Sequence, residues 1–329
     1  MSTLTMSEFP PYKSPFPRFE NGIFVSGESR HHDDADNQGQ LNTLNTVARQ
    51  QGWRSGVSAA YDSGLLNYVD NAERLIFLPL LPLAPGDAVL EIGPGLGQIS
   101  IPLSRRVATV DALEVVRGQA EFCALRSSQE NASNIRITAG GDNCELPYGD
   151  AAFNGVILNL VLEWCGWRSD GSHSDAHRRL LAEISRVLKP GGFLYLATKN
   201  RFSLRLLTGG RDEHMFKMRF GSALPRWLTR MLLGQRRPPG YLHSYGELRA
   251  LLADAGFGSI ASYWATPEMR WPTHMLQFES AEFSQQRRKA PQGETRVTRA
   301  VGSLLPGFMI KHLAPGLTFL ARKTAAARP

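Results

Sequence analysis

The chain has 329 residues, 42% of them hydrophobic and 20% charged, with a formal net charge of +7 at pH 7. This composition argues against a disordered or fibrous chain and bounds the fold to one large α/β domain with insertions, or two small domains. Three scattered cysteines (Cys123, Cys144 and Cys165) argue against a disulfide framework and a zinc site, and no apolar run reaches the length of a membrane span.

Residues 1 to about 40 are rich in proline and polar groups and read as an irregular arm without the apolar core of a secretory signal, so a cytoplasmic protein is expected. Within the arm, His31, His32, Asp33, Asp34 and Asp36 carry metal-ligating groups. Nothing fixes their geometry, so they read as a solvated loop and no metal is expected. From about Leu41 to Leu81, apolar residues such as Val57, Tyr61, Leu65, Tyr68, Ala72 and Leu75 recur at three- and four-residue steps, which predicts helices.

From Asp87 onward strands alternate with helices. Short β-prone runs at 88–92, 107–113, 134–138, 153–159 and 192–198 predict strands, and periodic segments at 116–125 and 176–188 predict helices between them. After a long interruption, 244–255 reads as a helix with Ser244 as N-cap and Gly256 just past its end. Strands at 257–263 and 317–322 close the chain. The alternation predicts an α/β, doubly wound, Rossmann-like sheet with helices on both faces. The domain division read from this pattern is an arm and helical cover over 1–84, then a domain over 85–329 with insertions at about 200–243 and 264–313.

The charge is uneven. Between Lys199 and His243 ten Lys or Arg face only Asp212 and Glu213, and from Arg287 onward nine face only Glu294. These stretches suit an anionic acceptor or a membrane surface, or a solvated face. No nucleic acid is expected, because no recognition module is present and no aromatics interleave with the basic residues.

The first predicted strand ends in Val89-Leu-Glu-Ile-Gly-Pro-Gly-Leu-Gly97. Gly93, Gly95 and Gly97 permit a sharp turn and a close approach of backbone to ligand. A dinucleotide fingerprint would need glycine where Gln98 stands, and the Gly-Lys-Ser/Thr of a phosphate loop is absent. Glu114 closes the second strand about 17 residues on, where a carboxylate can accept from both hydroxyls of a ribose. Asp142 and Asn143 follow the third strand, where they can meet an adenine amine, and Leu188-Lys-Pro-Gly-Gly192 leads into the fifth.

Together with Leu146-Pro-Tyr and Asp150-Ala-Ala-Phe153, these motifs resemble the class I S-adenosylmethionine-dependent methyltransferases over roughly residues 85–200. The resemblance implies a seven-stranded, mostly parallel sheet with an antiparallel last strand, and S-adenosylmethionine as cofactor. It implies that Glu91 lies near the methionine end, that Gly93, Gly95 and Gly97 shape the loop, and that Glu114 binds ribose. Asp142 would hold the adenine amine with Asn143 beside it, and Asn159 would lie against the methionine moiety. A narrower set is similar to bacterial methyltransferases associated with glycan or surface-polysaccharide assembly: Leu160-Val-Leu-Glu-Trp164, Lys199-Asn-Arg-Phe-Ser203, Gly209-Gly-Arg-Asp-Glu-His214 and Tyr241-Leu-His-Ser-Tyr245. Many such proteins have Asn-Arg-Phe-Gly where this chain has Asn200-Arg-Phe-Ser203.

Methyl transfer from a sulfonium is an in-line displacement, and an oxygen acceptor must also lose a proton. His214 is the leading candidate base and His243 the second. Glu163, Trp164, Asn200, Arg201 and Tyr245 are candidates on the acceptor side, with Tyr245 read first as packing at the start of its helix. Segment 224–237 is amphipathic, with Leu224, Trp227, Leu228, Met231 and Leu232 on one face and Arg226, Arg230 and Arg237 on the other. It suits a lid, a bilayer surface, or a helix packed on the core with its arginines in solvent. The function read from the sequence is methyl transfer to a small-molecule, glycan or lipid-linked acceptor, at oxygen. The alternatives are metabolite tailoring and a catalytically silent binding subunit.

Overall fold

The computed structural model describes residues 6–27, 35–167, 171–234, 236–290, 300 and 304–325. The tract His31–Asp34 and the basic residues Arg296, Arg299 and Arg328 lie outside the described residues. The chain divides into two compact units, and the strands at 153–159 and 188–199 run through both.

The first unit comprises Met1–Leu78, Pro82–Ile157 and Arg186–Phe193. Its elements begin with strands β1 (Arg18–Glu20) and β2 (Ile23–Ser26), then helices α1 (Ala35–Gln51), α2 (Trp53–Ala60) and α3 (Ser63–Val69). There follow β3 (Ala88–Ile92), α4 (Ser100–Ser104), β4 (Thr109–Glu114), α5 (Arg117–Gln129), β5 (Ile135–Gly140) and β6 (Phe153–Asn159). The sheet order here is β1-β2-β5-β4-β3-β6, with β2, β5, β4 and β3 parallel along their shared registers and β1 antiparallel to β2. The periodic segment folds as expected, broken at Gly52, whose φ is 91°, and at Asp62, whose carboxylate caps α3. Leu41, Leu44, Trp53, Val57 and Val69 bury one face against Leu96 and Phe122. On α5, Ala120 and Cys123 pack against Ala112, Ile137 and Ala139 of the sheet.

The arm departs from its sequence reading. Its described residues are not irregular, because β2 pairs with β5 from Phe24 opposite Thr138 to Ser26 opposite Gly140. Tyr12 bonds Thr138 through paired hydroxyls at 2.7 Å, and Arg136 donates to the Pro10 carbonyl at 2.6 Å. The anchor is Arg136 itself, which meets Asp111 at 2.5 Å with both side chains almost fully buried and stacks over the Tyr12 ring at 4.1 Å. Such pairing is between residues far apart in sequence, so no local periodicity announces it.

The second unit comprises Pro79–Leu81, Leu158–Ser185 and Leu194–Pro329. Helix α6 (His173–Val187) precedes β7 (Leu188–Lys199), then α7 (Leu204–Leu207), a small ribbon of β8 (Arg211–Asp212) and β9 (Met218–Arg219), and helices α8 (Arg226–Leu233) and α9 (Tyr245–Asp254). The remaining elements are β10 (Phe257–Thr266), β11 (His274–Gln277), α10 (Phe283–Lys289), a helix over Gly307–Leu313 and β12 (Gly316–Lys323). Here the order is β7-β12-β10-β11, with β10 antiparallel to both neighbours. Ser244 and Glu247 form the capping box of α9, and Gly256 follows it at φ 90°. Strand β7 starts at Leu188, earlier than the sequence reading, because the backbone extends through Lys-Pro-Gly-Gly with only Gly191 at positive φ.

The fold is α/β with a mostly parallel, Rossmann-like sheet. All seven expected strands are present, the last of them in an antiparallel pair, and β1, β2 and β11 extend the sheet beyond seven. Arg136→Met should destabilise by about 3–5 kcal/mol, because it leaves the Asp111 carboxylate buried without its cation. Urea unfolding of that variant beside Arg136→Met/Asp111→Leu checks this, and the double variant should recover most of the loss.

Candidate functional site

In the first unit the glycine loop is fixed from three directions. The Gly93 amide donates to the Leu113 carbonyl at 2.9 Å, tying the end of β3 to β4. The Glu114 carboxylate accepts from the Gly95 amide and from the Val116 amide, each at 3.0 Å. Arg126 donates to the Leu96 carbonyl at 2.9 Å while stacking over Trp53 of α2 at 3.9 Å. Gly97 has φ 80°, and a Cβ there would stand 3.1 Å from the Cys123 sulfur, so glycine is required for both conformation and close packing. At Gly95, φ is 55° and the nearest side chain is Gln98 at 3.5 Å, so the loop is open to close approach on that side.

Two carboxylates underlie this loop. Glu91 is buried and accepts from the Ser100 hydroxyl at the start of α4. Burial, opposed by the Ser100 bond and reinforced by Glu114, pushes its carboxyl up to about 7. Burial also raises the Glu114 carboxyl, against the pull of its backbone donors. A carboxylate offers about four lone-pair sites, so the amides on Glu114 leave acceptor capacity for a ligand diol. Gln98 Oε1 is buried without a hydrogen-bond partner, a free acceptor at the base of the loop. This donor and acceptor set fits a nucleoside with a polar, cationic tail. Half-buried Asp142 and exposed Asn143 follow β5 through Gly140 and Gly141, both at positive φ. The Asn143 side chain accepts from the Glu145 amide at 3.1 Å.

The second unit holds the remaining candidates. Asn159 ends β6, and Leu160 turns the chain at φ 59° with its amide on the Ala197 carbonyl at 2.7 Å. Glu163 is buried and accepts from the Thr198 hydroxyl at 2.6 Å, and burial raises its carboxyl. His214 is also buried, its ring 4.5 Å from that of Trp164. His214 Nδ1 lies 3.1 Å from Asp212 Oδ1, and the same oxygen accepts the His214 amide. The other Asp212 oxygen accepts the Ser222 amide at 2.9 Å. Burial works against the Asp212 anion, but these donors hold its carboxyl below the ordinary range. His214 Nε2 is buried with no hydrogen-bond partner. The geometry therefore presents an imidazole oriented by a carboxylate through Nδ1, with a lone pair on Nε2.

His243 is placed differently. Its Nε2 meets His177 Nδ1 at 2.8 Å, and His177 Nε2 reaches the Cys165 carbonyl at 3.2 Å. Tyr241 stands edge-on to both rings, and burial depresses His243 to about 4. Asn200 is fully buried and braces the carbonyls of His312 and Ala314. Arg201 holds the Ser222 and Leu224 carbonyls and pairs with Glu247, and the Tyr245 hydroxyl meets Ser262 at 3.1 Å. His173 and His177 carry no weight in the sequence reading, although their i, i+4 spacing places both on one face of a helix.

Helix α8 corrects the picture of a helix packed on its apolar side. Trp227, Met231 and Leu232 are exposed, while Arg226 and Arg230 line a cavity with Leu224 and Tyr241. Among the described residues no helix is long and apolar enough to cross a membrane, and no cluster of three or more His, Cys, Asp or Glu could hold a metal ion.

Residues 90–196 match the family described as "Methyltransferase domain". Over 145 residues the chain is 30% identical to the biotin biosynthesis bifunctional protein BioHC of Cellvibrio japonicus (strain Ueda107), covering 43% of this chain and 25% of that protein. Over 239 residues it is 27% identical to the demethylmenaquinone methyltransferase of Thermobifida fusca (strain YX), covering 72% of this chain and 84% of that one. Among solved structures, YcgJ from Bacillus subtilis aligns at a TM-score of 0.49 and 14% identity, over 77% of this chain and 99% of that one. The chain thus spans only a quarter of one of these curated relatives and most of the other. Over residues 90–196 the chain is therefore similar to methyltransferase domains.

Because Glu91 is protonated more readily folded than unfolded, its contribution to stability is complete below about pH 4.5 and is lost as pH rises through about 7. The stability difference between Glu91→Gln and the wild type should therefore shift in the variant's favour by up to roughly 3 kcal/mol between pH 4.5 and 8. Thermal unfolding of the two proteins from pH 4.5 to 8 measures it.

Proposed function

We propose that the chain is an S-adenosylmethionine-dependent methyltransferase acting on an oxygen of a glycan or lipid-linked small-molecule acceptor, with His214 as the general base. The observation that carries this reading is the buried Asp212–His214 pair, with Nδ1 on the carboxylate and Nε2 without a hydrogen-bond partner, 4.0 Å from a Glu213 carboxylate oxygen. When bound, the cofactor supplies an activated methyl group on sulfur. Glu114 takes the ribose hydroxyls, Asp142 with Asn143 takes the adenine edge, and Glu91, Gly93, Gly95 and Gly97 shape the loop against the methionine end, with Asn159 assigned to the same moiety. His214 Nε2 accepts the acceptor's hydroxyl proton as the oxygen attacks, and Asp212 stabilises the imidazolium that forms. Trp164 packs against the imidazole, ring centroids 4.5 Å apart.

The exposed Trp227, Met231 and Leu232, beside arginines, support an acceptor at a lipid surface and peripheral contact with the inner membrane face. His243 is the weaker base in this proposal, since its Nε2 is committed to His177. A silent binding subunit would use the loop and Glu114 but would have no need of an oriented imidazole.

Labelled S-adenosylmethionine supplied with bacterial lipid, glycan and small polar fractions tests the activity. Label should enter the lipid or glycan fraction. Label confined to small polar molecules would move the reading to metabolite tailoring, and cofactor binding without transfer to any fraction would support the silent subunit. His214→Gln should lower turnover by about 10²–10⁴-fold with cofactor affinity unchanged, and Asp212→Asn should lower it in the same direction. Glu114→Ala should weaken cofactor binding at least about tenfold, well beyond Glu163→Ala, and calorimetry compares the two. Equal affinities would remove Glu114 from the ribose role.

A further inference from the structure

Two short helices of the second unit turn large apolar side chains away from the core. On α8, Trp227 and Met231 stand four residues apart on one face with Leu232 beside them, all three more than half exposed. The helix over Gly307–Leu313 does the same with Met309 and with Phe308, which is 71% exposed, and Leu304 just before it is 85% exposed. Its opposite face is accounted for, since Ile310 and Ala314 pack with Trp264 and Phe283. Each helix follows a proline, Pro225 or Pro306, and neither contains an Asp or Glu. Arg226 and Arg230 lie on one and Lys311 on the other. Successive residues at the end of β7 hold both helices. The Asn200 side chain donates to the His312 and Ala314 carbonyls at the end of the Gly307–Leu313 helix. Arg201 donates to the Ser222 and Leu224 carbonyls just before α8.

We infer that these two helices dock together on an anionic phospholipid bilayer, an inference that rests on the lipid-surface reading proposed above and adds a second contact to it. Single exposed apolar side chains are ordinary, but clustered Trp, Phe, Leu and Met beside cations mark a contact surface. The faces of the two helices are convex, and a fluid bilayer takes in projecting side chains without a complementary shape, which a folded protein partner would have to supply. Trp227 suits the boundary between headgroups and acyl chains, where an indole keeps its ring in apolar surroundings and its N–H in water. Exposed Arg230 and half-buried Lys311 add attraction to lipid phosphates. A helix of eight residues or of seven attaches weakly and reversibly by itself. Two helices tied to neighbouring residues of one strand end act as linked sites, because once one inserts the other is already at hand. Buried Asn200 and Arg201 then serve to hold the docking surface in shape.

The test is flotation of the full chain with vesicles. The wild type should bind vesicles of equal parts phosphatidylglycerol and phosphatidylcholine at least about tenfold more tightly than vesicles of phosphatidylcholine alone. Trp227→Ser/Met231→Ser and Leu304→Ser/Phe308→Ser each replace exposed side chains. Each should weaken binding to the mixed vesicles at least about tenfold, with thermal unfolding and S-adenosylmethionine affinity unchanged. No binding to mixed vesicles, equal binding to both kinds, or wild-type binding by Leu304→Ser/Phe308→Ser would overturn the proposal. A concentration-dependent dimer in analytical ultracentrifugation, abolished by the same substitutions and without vesicle binding, would assign the faces to a second copy of the chain and also overturn it. Failure of the methyltransferase reading would show separately, as absent cofactor binding or transfer with vesicle binding intact.

Discussion

The first unit is organised around one carboxylate. Glu114 ends β4, and by accepting from the Gly95 and Val116 amides it joins the glycine loop, the strand tip and the first turn of α5. Removing it would free the Gly95, Val115 and Val116 amides and also withdraw the acceptor that faces the loop. The same group is costly to bury, which is why its carboxyl rises despite those donors. A site that needs a charged acceptor in a shielded place has to supply it with donors of its own, and backbone amides at a strand end do so without adding a counter-charge.

The second unit solves a related problem with an imidazole. Asp212 is held by two amides and the His214 ring, so the ring's orientation is set before any ligand arrives. Preorganisation of this kind lowers the reorganisation a proton transfer would need. The His177–His243 pair shows the contrast. There two imidazoles satisfy each other and the Cys165 carbonyl, and burial keeps the rings neutral, which suits packing more than proton exchange.

Much of this was legible in the residues. Strands β3 and β6 fall where their apolar runs end, because a strand buried on both faces announces itself by composition, and the Ser244 cap names the start of α9. The glycine loop and Glu114 were readable because backbone conformation and spacing restrict residue type there. The arm was not, because β2 owes its existence to pairing with β5 and to an Arg136–Asp111 pair, all of them remote from it in sequence. The partner of His214 stood two residues from it, yet an Asp-Glu-His run does not say which acid the ring will meet. The orientation of α8 was also hidden, since an amphipathic pattern says that two faces differ and not which one turns outward.

Gly240 carries no chemistry, yet a Cβ there would stand 2.8 Å from His214 Cδ2 and 2.9 Å from the Glu163 carbonyl oxygen. The imidazole and the backbone of its acidic neighbour therefore close on a space that only a hydrogen atom fills. In a saturation mutagenesis screen read by activity, position 240 would score like a member of the reacting machinery. A survey of tolerance alone would count it with the side chains it accommodates, and only a fold-sensitive readout, run in parallel, would separate the residue that leaves room from those it makes room for.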